Sequence, residues 1–363
     1  MKKVIISGGG TGGHIYPAIA IANALKAVDP SIQILFVGAL GKMEMEKVPK
    51  AGYEIIGLPI AGIKREISVD NLSFPTKLIR SLLKARSIIK SFQPDIAIGV
   101  GGFASGPLLM VASMMGIPTL IQEQNSYAGI TNKLLAKRAK AICVAYPNME
   151  AFFSKNKITL TGNPVRSDIL DITHKREQAY THFGLQPNHK TLLVIGGSLG
   201  AKTINESIDA GLKTIIDSGY QVLWQTGKPY YEKAKTTLKS LKTPYAQAND
   251  FIYEMDLAYA LADVVVSRAG ALSVSELCLV EKPCILVPFP FASEDHQTKN
   301  AMSLVEQNAA LLVKDKDAKE ELVQSALKLL QDTNKQIELS NNIKKLAKPN
   351  AAQEIAQIVL SLC

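Results

Sequence analysis

Cysteine is scarce in this sequence, and the four present (Cys143, Cys278, Cys284 and Cys363) include no C-x-x-C pair. That excludes a disulfide framework and the common zinc and redox spacings. The thiols read as reduced and mostly buried. There are only five histidines, and no cluster of His, Cys, Asp or Glu has metal-ligand spacing. Aromatic residues make up 6%, and no run of lysine or arginine is interleaved with them. Nucleic acid is therefore the least favoured partner despite a net charge of +9. The positive excess suits an anionic substrate or an anionic membrane surface instead.

No export signal is expected. Met1-Lys2-Lys3-Val4-Ile5-Ile6 imitates the start of a signal peptide, but glycines interrupt the apolar stretch at once. Charge is missing altogether from Ile96 to Ile121, a length that could span a bilayer. Gly101-Gly102, Gly106-Pro107, Gly116 and Pro118 break that run. It reads as a buried strand, a helix and a second buried strand, as in a fully covered parallel sheet.

A length of 363 residues favours two domains, and 47% hydrophobic residues are ample for two cores. The first half alternates strand and helix patterns. Strands are expected at 3–7, 32–37, 54–58, 95–99, 118–122, 141–145 and 158–160. Helices are expected at 17–28, 43–50, 75–92, 107–115 and 131–138. The second half restarts the theme, with Lys190-Thr191-Leu192-Leu193-Val194-Ile195-Gly196-Gly197-Ser198-Leu199-Gly200 echoing residues 3–13. Its further strands are expected at 221–225, 248–252, 264–267, 284–288 and 310–313. The fold class is thus α/β, two Rossmann-like doubly wound parallel-sheet domains. Ligand sites belong at the strand C-terminal ends. Two such domains facing across a cleft suit the joining of two substrates.

The most informative stretch is Ser7-Gly8-Gly9-Gly10-Thr11-Gly12-Gly13-His14. A strand, a glycine-rich turn and a helix make an anion-cradling element. Pro17 suits the first helical turn. The second strand leads into Gly38-Ala39-Leu40-Gly41, with no carboxylate there to hold a ribose as a nicotinamide site would want. His14 is the one residue of this loop of a type that can titrate near neutral pH, and it can face a reacting hydroxyl.

Further phrases are Gln122-Glu123-Gln124-Asn125, Ala128-Gly129-Ile130-Thr131-Asn132-Lys133, Thr161-Gly162-Asn163-Pro164-Val165-Arg166, Arg268-Ala269-Gly270-Ala271-Leu272-Ser273-Val274-Ser275-Glu276 and Asp295-His296-Gln297-Thr298-Lys299-Asn300-Ala301. In this order, with the first loop and Gly196-Gly197-Ser198, they closely resemble the bacterial peptidoglycan N-acetylglucosaminyltransferases. Gln122 stands where that family often has His, and Phe103 where a Tyr is common. The resemblance implies a GT-B fold and inverting transfer of GlcNAc from UDP-GlcNAc to the C4 hydroxyl of MurNAc in undecaprenyl-pyrophosphoryl-MurNAc-pentapeptide (lipid I). The product is lipid II. No cofactor is expected, and no metal, since no metal cluster is evident in the sequence and basic side chains can meet the phosphates. Another GT-B enzyme, acting on a lipid such as diacylglycerol, is the competing expectation. A non-catalytic sugar-nucleotide sensor is a third.

The domains implied are an acceptor- and membrane-binding part (1–164), a UDP-GlcNAc-binding part (165–341), and a last helical segment (342–363) returning to the first. His14 is the candidate general base, with Glu123 its rival; either could instead bind or cap. Gly9, Gly10, Gly12 and Gly13 would cradle the acceptor diphosphate, and Thr11, Gly12 and Gly13 would also touch the donor. Ser198, Arg166 and Arg268 would meet the UDP phosphates, either arginine being alternatively part of an ion pair. Ala271, Leu272, Ser273, Val274 and Ser275 would open the UDP pocket. Glu276 would accept from the ribose hydroxyls unless it serves only the helix dipole. The Ile252 backbone would read uracil, and Asn125 and Gln297 the GlcNAc hydroxyls. Asp315-Lys316-Asp317 imitates a metal-phosphate motif but reads as solvated surface.

Because the acceptor's tail stays in the bilayer, the resemblance also implies peripheral docking on the cytoplasmic face of the membrane. Leu72, Phe74, Lys77, Arg80 and Lys84 are the candidate contacts, with Ile67, Val69 and Arg86 beside them. Leu78, Leu82 and Ile89 read as core. Other cell-wall synthesis or division proteins are further possible partners.

Overall fold

The computed structural model describes residues 1–62 and 73–363. By contact, the chain divides into Met1–Arg166 with Asn350–Cys363, and Ser167–Pro349.

In the first unit the strands are β1 (Lys3–Ser7), β2 (Gln33–Ala39), β3 (Glu54–Leu58), β4 (Ile96–Gly99), β5 (Thr119–Glu123), β6 (Ala141–Val144) and β7 (Ile158–Leu160). All pair in parallel, in the order β3-β2-β1-β4-β5-β6-β7. Val4, Ile5 and Ile6 of β1 are wholly buried, which is why this strand reads as an unbroken apolar run. The covering helices are α1 (Gly12–Val28), α2 (Glu44–Lys50), α3 (Phe74–Phe92), α4 (Ser105–Met114) and α5 (Ile130–Ala136). The uncharged stretch is β4, α4 and β5, as its glycines and prolines imply.

The second unit begins with α6 (Arg176–Phe183). Strands β8 (Thr191–Ile195), β9 (Gln221–Gln225), β10 (Ala246–Asn249), β11 (Val264–Ser267), β12 (Cys284–Leu286) and β13 (Leu311–Leu312) form its sheet. Their order is β10-β9-β8-β11-β12-β13, again all parallel. Between them run α7 (Lys202–Asp217), α8 (Lys228–Leu241), α9 (Met255–Leu261), α10 (Ala271–Leu279) and α11 (His296–Val305). Helices α12 (Ala318–Gln331) and α13 (Thr333–Lys344) follow the last strand. Asp263 anchors α6 to the sheet: it accepts two bonds from Arg176 Nη2 and one from Thr191 N–H.

Helix α14 (Ala351–Leu362) closes the chain. Its Ile355, Ala356 and Val359 join the core of the first unit with Ile15, Ala18, Ile21, Ala22 and Leu25 of α1. By contact the returning segment starts at Asn350, since α13 packs on α10 and α12 and stays with the second unit.

Two expectations shift. The expected strand at 248–252 ends at Asn249, where pairing with Gln225 stops, so Ile252 lies in the following loop. Helix α1 starts at Gly12, not Pro17. Thr11 takes an extended N-cap conformation and its carbonyl accepts from both His14 and Ile15 N–H. Pro17 therefore sits in the second turn, where it lacks the N–H that would reach the Gly13 carbonyl. Three cysteines are buried and all four are free. Burial pushes the Cys143 and Cys278 thiols up to about 12, which leaves them unreactive.

Candidate active site

Each sheet reverses its strand order at its first strand: between β1 and β4 in the first unit, and between β8 and β11 in the second. Such switch points open the crevices where α/β proteins bind ligands.

In the first unit the loop after β1 meets the loop after β4. Gly9 N–H donates to Gly101 O (3.3 Å), and Ser105 Oγ bonds both Ser7 O and Gly101 O. Gly101 and Gly102 have φ of +100° and +90°. A side chain on Gly102 would strike the Gly9 backbone, and one on Gly101 would lie 2.6 Å from the His14 ring. These glycines let the two loops pack together. Gly9 likewise leaves room for Glu44, a wholly buried carboxylate that sequence reasoning missed. Glu44 Oε2 accepts from Gly10 N–H at 2.8 Å and Oε1 from Ala39 N–H at 2.9 Å. The only sequence sign of it is an acidic residue opening a helix soon after Gly38, and a buried acid there looks like any exposed one.

The N–H groups of Gly9 and Gly10, expected to face an anion, are already committed within the chain, whereas Gly12 and Gly13 are the first two residues of α1. A helix has no internal acceptor for such N–H groups. His14 is the third helical residue. Its Nδ1 lies 3.1 Å from Gly9 O and 3.4 Å from Thr11 Oγ1. A carbonyl only accepts, so Nδ1 carries the proton in that contact and Nε2 is the basic nitrogen.

Glu123 is not placed as a base. It is 2% exposed and accepts from Asn125 N–H and Nδ2, Gly129 N–H and Asn132 Nδ2. Gly129 is the N-cap of α5, so Glu123 shapes the loop that carries Asn125. Gln122, at the position where the resembled family often has His, joins a buried amide network. Its Nε2 donates to Asn163 Oδ1 at 3.0 Å, Gln124 Nε2 donates to its Oε1, and Asn163 Nδ2 donates to Gln124 O. Phe103 is exposed and packs over Gly62.

In the second unit, Gly197 and Gly200 take positive φ in the turn from β8 to α7. A side chain on Gly200 would strike Thr226 O, so this loop lies directly on the turn after β9. Ser198 is exposed at its tip. Gln225, at the end of β9, is another residue missed from sequence. Its Nε2 donates to Gly197 O and its Oε1 accepts from Ile252 N–H at 2.9 Å. Ile252 can thus offer a base its carbonyl, its N–H being taken.

Arg268 follows β11 and is buried. Its Nη1 donates to Val287 O, Pro288 O and Asp315 Oδ1. Asp315 Oδ2 also accepts from Thr203 Oγ1. The expectation of solvated surface at Asp315 is therefore wrong: this carboxylate braces Arg268 beside the switch point. All three of these Arg268 bonds are made through Nη1, whereas Arg166 is exposed at the end of the first unit.

Gly270 caps α10 in an extended conformation, so Ala271, Leu272 and Ser273 form its first turn, with Val274 and Ser275 next. Glu276 is the sixth residue of that helix, too far along to serve its N-terminal dipole. Its Oε2 accepts from Tyr259 OH at 2.9 Å. Gln297, in the first turn of α11, accepts from Phe289 N–H at 3.0 Å. Among the described residues, no group of three or more His, Cys, Asp or Glu could hold a metal ion.

Residues 4–144 match the glycosyltransferase family 28 N-terminal domain, and residues 191–355 its C-terminal domain. The chain belongs to glycosyltransferase family 28. It is 59% identical over 99% of its length to a Cytophaga hutchinsonii protein, covering 96% of it, and 56% identical over 99% to a Bacteroides fragilis protein, covering 95%. Both are UDP-N-acetylglucosamine--N-acetylmuramyl-(pentapeptide) pyrophosphoryl-undecaprenol N-acetylglucosamine transferases. The crystal structure of MurG from Acinetobacter baumannii superposes with a TM-score of 0.80 at 28% identity, covering 99% of this chain and 100% of that one. This glycosyltransferase therefore has the GT-B fold expected of it.

Proposed function

We propose that this glycosyltransferase moves GlcNAc from UDP-GlcNAc onto the C4 hydroxyl of MurNAc in lipid I, giving lipid II with inversion at the anomeric carbon. One observation carries the chemistry: His14 sits in the first turn of α1 with Nδ1 on Gly9 O, in a chain alike over its whole length to relatives named for that reaction. The acceptor diphosphate lies on the Gly12 and Gly13 N–H groups. His14 Nε2 takes the C4 proton as the hydroxyl attacks the anomeric carbon, and UDP departs with the bond's electron pair. Ser198, Arg268 and the first turn of α10 meet the growing negative charge on UDP, and Arg166 is a further candidate for that charge. Glu276 holds the ribose, the Ile252 carbonyl the uracil, and Asn125 and Gln297 the GlcNAc hydroxyls. UDP release from UDP-GlcNAc should require a lipid I analogue. Release driven by diacylglycerol and not by lipid I would overturn the assignment.

Peripheral membrane docking belongs to the same proposal. Of the residues expected to touch lipid, Ile67, Val69 and Leu72 lie outside the described residues. Phe74 packs partly against the core, as do Leu78 and Leu82, and Ile89 is buried. Helix α3 packs on α4 and α4 on α5. These helices expose Ile79 and Leu83, Met110 and Met114, and Ile130 and Leu134, and α3 also exposes Arg80, Lys84 and Arg86. Among the described residues, no helix is long and apolar enough to cross a membrane, so the face would rest on the bilayer. Four basic side chains with Lys77 contribute up to about 4 kcal/mol at an anionic leaflet, less at high salt. Sedimentation with anionic vesicles should be salt-sensitive. It should weaken both in a Lys77/Arg80/Lys84→Glu triple variant and in Ile79→Ser/Leu83→Ser. Unaltered vesicle binding in both variants would sink this interface.

A further inference from the structure

The Glu44 carboxylate and the His14 ring bind opposite sides of one peptide group. Gly10 N–H and Gly9 C=O belong to the same amide. Glu44 Oε2 accepts from the N–H at 2.8 Å, and His14 Nδ1 contacts the C=O at 3.1 Å. We propose that Glu44 is a positioning residue that acts on His14 through this peptide, fixing its tautomer and raising the basicity of Nε2. The chemical consequence rests on the reading of His14 as the base.

The physical case has three parts. First, the amide is conjugated, so an anionic acceptor on its N–H moves electron density onto its oxygen and strengthens that oxygen as an acceptor. Gly9 O then holds Nδ1–H more firmly. It also stabilises the imidazolium that forms when Nε2 takes a proton, countering the helix N-terminus, which disfavours that cation. No proton travels through the peptide: one hydrogen stays on Gly10 N, one on Nδ1, and the substrate proton arrives at Nε2. An acidic group behind a histidine does this directly in catalytic triads and metal sites; here a backbone amide stands between.

Second, the site demands a carboxylate. Glu44 is 0% exposed, and the two groups converging on it, Gly10 N–H and Ala39 N–H, are both donors. A glutamine would turn its NH2 against one of them. Among the described residues no cation pairs with Glu44, so its charge is directed at these two amides alone. Third, the chain is cut to fit: Gly9 and Gly38 lack the side chains that would strike Glu44, and Gly101 lacks the one that would strike the ring.

The wild-type ring can be observed directly. Long-range proton–nitrogen correlation spectra of the uniformly labelled full chain, with His14 assigned by the signal lost in His14→Ala, should show the neutral Nδ1–H tautomer. Glu44→Gln should shift the ring toward Nε2–H and move the acid limb of kcat to lower pH, because the imidazolium loses its support. It should also lower kcat by about 10–100-fold with the KM for UDP-GlcNAc unchanged. Glu44→Asp, which keeps the charge, should retain Nδ1–H and decides the matter if the glutamine variant does not fold. A wild-type ring in the Nε2–H form would overturn the proposal. So would a folded Glu44→Gln with tautomer and acid limb intact. Undiminished kcat in His14→Ala would instead remove the base while leaving the tautomer result standing.

Discussion

His14→Ala should lower kcat by about 10²–10⁴-fold, the range a positioned general base supplies. The KM for UDP-GlcNAc should change little, since the candidate donor residues lie mainly in the second unit. The geometry sharpens the expectation. Nδ1 on Gly9 O at 3.1 Å leaves Nε2 to take the proton, and the α1 N-terminus favours the neutral ring. The wild-type kcat should therefore fall on the acid side of its profile, where the ring becomes charged, and that limb should vanish in the variant. His14→Gln, which can accept a hydrogen bond but not hold a proton, should be as slow as the alanine variant. A preserved kcat with a raised acceptor KM would make His14 a diphosphate-binding residue. The base would then have to come from elsewhere than Glu123, whose carboxylate is buried and taken up by the donors of Asn125, Gly129 and Asn132.

The fold was legible because parallel strands buried on both faces write themselves as short apolar runs, and glycines mark the turns that follow. Lys3–Ser7, Glu54–Leu58 and Gln221–Gln225 begin and end where their patterns do. The start of α1 was misread because proline is favoured in a first turn, yet here Thr11 ends the loop before Gly12 and Pro17 is carried inside. At the two switch points, residues at loop tips and helix starts stand out in the sequence because glycines flank them. Those that hold the loops from beneath do not. Glu44 and Gln225 have no pattern of their own, because what defines them is the pair of backbone groups each meets, and those come from strands and loops far apart in the chain. Asp315 shows the opposite failure. In sequence it sits among lysines and looks solvated; in the fold it faces Arg268 and Thr203.

The second large effect is expected at Glu276. Tyr259 OH fixes one oxygen of this carboxylate at 2.9 Å, and position six of α10 removes the helix-dipole explanation for an acid there. A carboxylate accepts only, which suits a pair of ribose hydroxyls. Hydrogen bonds to a charged group are among the stronger ones, and truncation leaves both hydroxyls unpaired. Glu276→Ala should therefore cost about 2–4 kcal/mol of transition-state binding, or ~30- to 1000-fold in kcat/KM for UDP-GlcNAc. Glu276→Gln should lose less, since its amide oxygen still accepts from one hydroxyl. Tyr259→Phe should lose less again, because the carboxylate stays and only its bearing is loosened. The deciding measurement pairs the alanine variant with a donor whose ribose lacks the 2′-hydroxyl. If Glu276 reads that hydroxyl, the deoxy donor is already penalised in the wild type, and the further loss on mutation shrinks. An undiminished loss with the deoxy donor would take the 2′-hydroxyl away from Glu276. Equal turnover of wild type and Glu276→Ala with the normal donor would take Glu276 out of the site altogether.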